Sequence, residues 1–445
     1  MSRYMGCVYP PSTPAYARWL APWARAFALG SILHVTLPDF AQPGWLAPGA
    51  LELVGALWLL ARPSPLAFAA CGLSTLWTLL FLRDVLTQSA LLTVFAGIGV
   101  AASLGWRDAL NGARLVTAGT YLLAAFHKLN TAFFDPAFSC ANHAWTQVVE
   151  RTPLLAALPI PPGVLPFAAV GLELAVGWAV WRRSRWMWPL GVLFHLPLTV
   201  TLAPAFAGVM FIGYAAAVPA RDWVRLRRIA RRHWPVIVGV GLAAGGLDLA
   251  LSERWPGELT AIAAGLKVVA AGMLLAWTAP LLWARSVRHS AAGRAARWLA
   301  VGWFLHGLTP YIGVQYQHTG AMLSNLRIDA GCHNSLVMPE ALRGRDPYLR
   351  IDEASIGDGA RPARARRIEA TLWNVAALHT MRRNWCIPEL RPIRYRGTWR
   401  GRPFEIDDLC ADDWLDALPG AAWWPPGFQR FQKNLERRCP AACVH

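Results

Sequence analysis

The sequence predicts an all-α polytopic membrane protein of about 11 transmembrane helices over residues 1–316, followed by a small exported α+β region over 317–445. Three observations predict it. Of 445 residues, 55% are hydrophobic and only 16% charged, against about 25% charged in an ordinary soluble domain. Apolar windows near the ~20 residues that cross a ~30 Å hydrocarbon layer recur as far as residue 316. The charge excess, 43 Lys+Arg against 26 Asp+Glu for a net +17, falls between those windows. That is the pattern of short cytoplasmic loops, and it argues against a nucleic-acid patch.

The windows lie at about 19–37, 45–61, 65–82, 87–106, 113–130, 164–181, 186–203, 204–219, 234–251, 258–284 and 298–316. Met1–Tyr16 is polar and Pro-rich, without the apolar core of a signal peptide. With the N-terminus cytoplasmic, the inner loops hold Arg62, Arg107, Arg114, Arg182, Arg183, Arg185, the Arg221–Arg232 cluster, Arg285, Arg288, Arg294 and Arg297. The outer loops hold only Arg83, Arg151 and Arg254. This orientation puts the protein in the cell inner (plasma) membrane, with membrane lipid as a partner and the C-terminus exported.

Cysteine placement is consistent with export. Cys140, Cys332, Cys386, Cys410, Cys439 and Cys443 fall on the exported side, where disulfides persist. Six cysteines allow fifteen pairings, so disulfides are expected without assigned partners. Cys439, Cys443 and His445 are too loosely spaced for a zinc site, and no metal is predicted. Residues 131–163 form a re-entrant-like loop. In the C-terminal region, Ile368, Leu372, Val375 and Leu378 have helical spacing across Arg367–Arg383. Alternation from Pro392 to Asp407 predicts a hairpin.

Ionisable groups at bilayer depth are functional candidates by default. Glu173, His195 and Lys267 each lie about nine residues, or ~13 Å, into their windows. Glu173 and His195 are on consecutive windows, and an interhelical hydrogen bond explains them as well as chemistry does. Lys267 has Asp248 or Glu173 as a possible counter-ion, while Glu52 and Asp248 sit nearer window ends. Gly241 and Gly245 have the spacing of a close helix contact. Lysine is scarce, with only Lys128, Lys267 and Lys433 in the chain. Lys128 ends the run Tyr121-Leu-Leu-Ala-Ala-Phe-His127-Lys128-Leu-Asn130. A desolvated amine there suits proton abstraction, and a helix-capping lysine is the bland alternative.

The run Phe126-His-Lys128-Leu-Asn130, then Gly171-Leu-Glu173-Leu-Ala-Val-Gly177 and Leu193-Phe-His195-Leu196, resembles the horizontally transferred transmembrane domain shared with vitamin K-dependent gamma-carboxylase. Thr309-Pro-Tyr-Ile-Gly-Val-Gln-Tyr-Gln-His-Thr-Gly-Ala-Met-Leu-Ser-Asn-Leu-Arg327 is similar to the segment after the last span in bacterial members. The likeness covers roughly residues 15–330. It implies a reduced, vitamin K hydroquinone-like quinone as cofactor, with Lys128 as the base that deprotonates it. Oxygen-dependent carboxylation of a glutamate then follows on an exported protein or peptide. His127 and Lys128 become the catalytic candidates, and Glu173 and His195 the cofactor-binding ones. The chain departs from eukaryotic carboxylases at His127, where they carry a second basic residue. It also departs at Asp84-Val-Leu-Thr-Gln88, where they read Asn-Asn-His. About 130 residues after the last window are too few for the large lumenal domain of the animal enzyme. A non-catalytic scaffold or maturation factor for an exported protein, and a transporter, stay open beside the carboxylase-like enzyme.

Overall fold

The computed structural model describes residues 14–35, 46–81, 88–151, 158–201, 204–251, 268–283, 292–415 and 435–443, apart from a few single positions. Cys7, the Asp84–Leu86 stretch, Lys267, Lys433 and His445 lie outside them. The apolar runs form helices: α1 Pro14–His34, α2 Leu46–Ala61, α3 Pro65–Phe81, α4 Gln88–Ser103 and α5 Ala109–His127. They continue with α6 Cys140–Arg151, α7 Val164–Arg182, α8 Met187–Thr201, α9 Pro204–Ala216, α10 Ala220–Leu251 and α11 Arg294–Gly307.

These helices correct the expected membrane architecture. Among the described residues one helix, α7, is long and apolar enough to cross a membrane. Other apolar helices stop at 16 or 17 residues or fewer, and 16 residues at ~1.5 Å rise span about 24 Å, short of a ~30 Å hydrocarbon layer. α10 joins an arginine-rich half to an apolar half across a kink at His233, just before Pro235. The multi-pass arrangement with about 11 spans, and the loop orientation built on it, therefore do not stand. The sequence misled because an apolar run has the same composition whether it faces lipid or another helix.

Here many of those side chains face one another. Trp23, Phe27, Phe68 and Phe95 are fully buried in one core shared by α1, α3 and α4 with α9. Trp23 stacks on Phe68 at 5.6 Å and donates its indole N–H to Ile212 O at 3.0 Å. Each such aromatic contributes roughly 1.5–3 kcal/mol of burial. Outward faces keep Trp58, Leu73, Phe167, Leu174 and Trp178 exposed.

The arginines have a local role as well as a charge. Arg114, on α5, donates to the carbonyls of Val180 and Trp181 at the C-terminus of α7. Cations are favoured at that end of a helix. Arg183 caps the same helix from φ +48° and donates to Asn111 Oδ1 at 2.6 Å. Gly241 makes the predicted close approach, because a Cβ there would meet Val269 O.

The C-terminal region is a five-stranded antiparallel sheet of order β4-β3-β1-β2-β5, with β1 Tyr348–Ile356, β2 Thr371–Asn374, β3 Ile393–Trp399, β4 Arg402–Ile406 and β5 Leu435–Glu436. The predicted hairpin is β3–β4, closed by Arg400 and Gly401. The predicted single helix across Arg367–Arg383 is instead α12 Pro362–Glu369, then β2, then α13 Val375–Trp385. Asn374 breaks it, taking extended backbone and accepting from Ala377 N at 2.9 Å as the cap of α13. Likewise, the described residues of 131–163 hold one helical turn, Thr131–Phe134, and α6 rather than a re-entrant loop.

All six cysteines expected to bridge do so: Cys140–Cys443, Cys332–Cys439 and Cys386–Cys410. Cys439 and Cys443 are thus consumed in two separate bridges, which removes the zinc alternative. Beside the third bridge, Asp408 accepts from Arg391, Ile393 N and Cys410 N. Partial burial pushes its carboxyl up, but those hydrogen bonds outweigh it and hold the group below the usual carboxylate range. A depressed folded pKa contributes stability above the unfolded value of about 3.9 and loses it as pH falls through the folded value. Asp408→Asn should therefore be less stable than wild type at pH 7, with the gap narrowing below about pH 4, as followed by urea unfolding across pH.

Candidate functional site

Lys128 is the residue that ends α5, with φ −80° and its amide bonded back to Ala125 and Phe126. Side chains on a helix lean toward its N-terminus, and Lys128 Nζ accordingly reaches back to Ala124 O at 3.4 Å. From there it meets Glu173 Oε1 at 2.9 Å, with both side chains almost completely buried. α5 packs along α7, which carries Glu173, so the contact joins a helix end to a helix middle. Glu173 Oε2 has no hydrogen-bond partner among the described residues. A buried carboxylate oxygen left open in this way is rare.

Both residues line a cavity of about 290 Å³ whose other walls are nearly all apolar. α6 supplies Trp145 and Val148, α7 supplies Leu165 and Leu172, and Phe133 places its ring 5.8 Å from Lys128 Nζ. Pockets of this kind, apolar with a few convergent polar groups, are the usual form of small-molecule sites.

Polar groups stand behind the cavity. Tyr121, which lines it, hydrogen-bonds His195 Nε2 and accepts from Tyr214 OH at 2.9 Å. Glu173 and His195 therefore take different partners, Lys128 and Tyr121. His127 points away from the cavity. Its Nε2 donates to Thr319 O at 3.2 Å, leaving Nδ1 to accept from Tyr311 OH at 3.1 Å. Its ring also stacks on Tyr311 at 5.5 Å. Consecutive helical residues diverge by about 100°, so Lys128 can face the cavity only if His127 faces the segment after α11. The geometry thus brings Lys128 and Glu173 together, places His195 one residue behind them, and leaves His127 as packing.

The segment resembling the family's post-span stretch lies directly over the site. Asn130 Oδ1 accepts from Phe133 N at 2.8 Å, while its Nδ2 donates to His127 O at 2.9 Å and Ser324 O at 2.5 Å. Leu336 N donates to Leu129 O, and Thr131 N to Asn334 O. Asn325 Oδ1 accepts from Cys140 N at 2.6 Å, and Cys140 is itself bridged to Cys443.

A second buried constellation was invisible in the sequence. His34 Nδ1 lies 3.1 Å from Glu52 Oε1, and Ser89 Oγ lies 3.3 Å from His34 Nε2. All three are fully enclosed, and none lines the Lys128 cavity. Their separations of 18 and 55 residues form no local pattern, so Glu52 read as a helix-end residue. Among the described residues no group of His, Cys, Asp and Glu is arranged to hold a metal ion. Compared with known proteins, the chain matches no family model, no curated protein and no solved structure.

Proposed function

We propose that the chain is a carboxylase-like enzyme that removes a proton from an amphipathic hydroxyl-bearing ligand, with Lys128 as base. The observation that carries this reading is the Lys128–Glu173 pair, 2.9 Å apart and nearly dry, on the wall of an otherwise apolar cavity. The resemblance of the stretches around Lys128 and Glu173 to the carboxylase supports a reduced quinone as the ligand. The cavity fits such a group: apolar walls for a ring and, at one end, an amine and an open carboxylate oxygen. When bound, a reduced quinone supplies an acidic hydroxyl and two reducing electrons.

The chain's own residues do the rest. Phe133, Trp145 and Leu172 exclude water and hold an apolar ring. At rest the pair is the Lys128 ammonium and the Glu173 carboxylate; against the bound ligand the ammonium passes its proton to Glu173 Oε1, and the freed amine takes the hydroxyl proton. The ammonium that results is paired with the ligand's own oxyanion, and Glu173 is left as the neutral acid. Glu173 Oε2, facing no other partner, orients the ligand by accepting a second hydrogen bond. Tyr121 and His195 fix that wall through their mutual hydrogen bond.

Three disulfides suit an oxidising, exported compartment, and the reading puts this face of the protein there. Membrane lipid is then the partner of α7, whose Phe167, Leu174 and Trp178 are exposed, and the source of a lipid-soluble ligand.

The test compares wild type with Lys128→Ala, each supplied with reduced quinone, labelled CO2 and glutamate-rich peptide. Quinone oxidation or label incorporation should fall about 10²–10⁴-fold in the variant, the usual contribution of a positioned base. Label in the peptide would identify carboxylation, and oxidation without label a different redox reaction. Absence of both in wild type, with an unchanged cell phenotype for Lys128→Ala, would leave the second reading. That reading, a maturation scaffold for an exported protein, is favoured by the disulfide-tied sheet seated beside the site.

A further inference from the structure

The C-terminal sheet carries a second cavity of about 700 Å³, richer in charged side chains than the first. Its walls include Arg343, Arg350 and Arg400, with Asp346 the one carboxylate among its lining residues. Asp346 is already engaged by backbone amides, Oδ2 by Ala330 N at 3.0 Å and Oδ1 by Tyr348 N at 2.9 Å. The lining therefore carries three guanidinium groups against one carboxylate whose two oxygens are occupied; Glu340, outside the lining, lies 3.7 Å from Arg343, which leaves Arg350 and Arg400 as the principal cations of the cavity.

The strand register builds this arrangement. Arg350 on β1 pairs with Thr398 on β3, and residues two apart on a strand share a face. Tyr348 and Arg350 thus come to one face beside Thr398, and the β3–β4 turn adds Arg400 there. One Arg350 nitrogen is fixed on Ala330 O at 2.9 Å, which orients the fork. Arg400 lies over the Trp399 ring at 4.3 Å.

Arg400 is also an unusual residue for its position. It and Gly401 have φ of +53° and +75°, the left-handed pair of a two-residue hairpin turn. Asn, Asp or Gly is the ordinary choice at the first position of that turn. An arginine there is a backbone outlier of the kind that clusters at ligand clamps.

We propose that this cavity binds a small, multiply charged oxyanion, a phosphate group or a polycarboxylate, gripped by Arg350 and Arg400 with Arg343 at its edge. Planar guanidinium forks match such oxygens bidentately. The site is separate from the Lys128 cavity, so the two readings stand or fall independently.

Calorimetric titration of the full-length chain with inorganic phosphate and, separately, with citrate tests it, at constant ionic strength against chloride. Either anion should bind wild type, and Arg350→Gln and Arg400→Asn should each weaken binding about tenfold or more. Phosphate alone would identify a phosphate group and citrate alone a polycarboxylate; both together would identify a general oxyanion site. Arg400→Asn puts the preferred residue into the turn, so its Tm should equal or exceed that of wild type while anion binding falls. That combination separates lost recognition from lost folding, even if Arg350→Gln folds poorly. Failure of wild type to bind either anion, or affinity unchanged in Arg400→Asn, would overturn the proposal.

Discussion

Replacing Lys128 by Met should destabilise the protein by about 3–5 kcal/mol, and replacing both Lys128 and Glu173 by apolar residues should restore most of that loss. Removing one member of a buried ion pair leaves the other charge without its partner in a dry site, whereas removing both leaves only a packing problem. Lys128 and Glu173 meet this condition, since their side chains are 7% and 5% exposed and 2.9 Å apart. The expected pattern is a low denaturant midpoint for Lys128→Met and a near-normal one for Lys128→Met/Glu173→Leu. Both proteins should be inactive in the quinone assay. A stable single variant would show that Glu173 finds another partner or is held neutral. Activity in the stable double variant would remove Lys128 from the chemistry altogether.

The second large effect belongs to Cys140–Cys443. Its cysteines are 303 residues apart, and even with Cys332–Cys439 intact the loop it closes is roughly 200 residues. Because closure entropy grows only with the logarithm of loop length, that shortening matters little. Cys140→Ser should therefore lower stability by about 2–5 kcal/mol, measured by denaturant unfolding without reductant. The loss should reach the site as well. Cys140 lines the cavity and begins α6, whose Ala144, Trp145 and Val148 form one wall. An unchanged unfolding midpoint would mean that the Asn325 bond to Cys140 N and the packing of the C-terminal segment already hold this wall.

Apolar runs mark most of the helices before residue 308, alternation marks the hairpin and cysteine count marks the bridging cysteines, whereas α6 and the break between α12 and α13 carry no such local signature. The partner of a face has no local signature either. The same Leu-, Ala- and Trp-rich stretches suit lipid or a helix core, and only helix length and mutual packing distinguish the two. At the site, Lys128 was legible from its motif and its place at a helix end. Its partner was not, because Glu173 counted by residues alone lies deep along α7, opposite nothing at that end. The lysine's reach back along its own helix closes the gap. Tyr121, Tyr214 and His195, separated by 93 and 74 residues, share no periodicity that a linear reading could join.

The long bridge also changes what kind of object the chain is. Residues 140–443 are covalently a ring, and residues 1–139 are a tail attached to it. Lys128 lies on the tail and Glu173 on the ring. The ion pair at the cavity is therefore a non-covalent seam between the open and the closed part of one molecule. Whatever ligand settles against that pair is held by both parts at once.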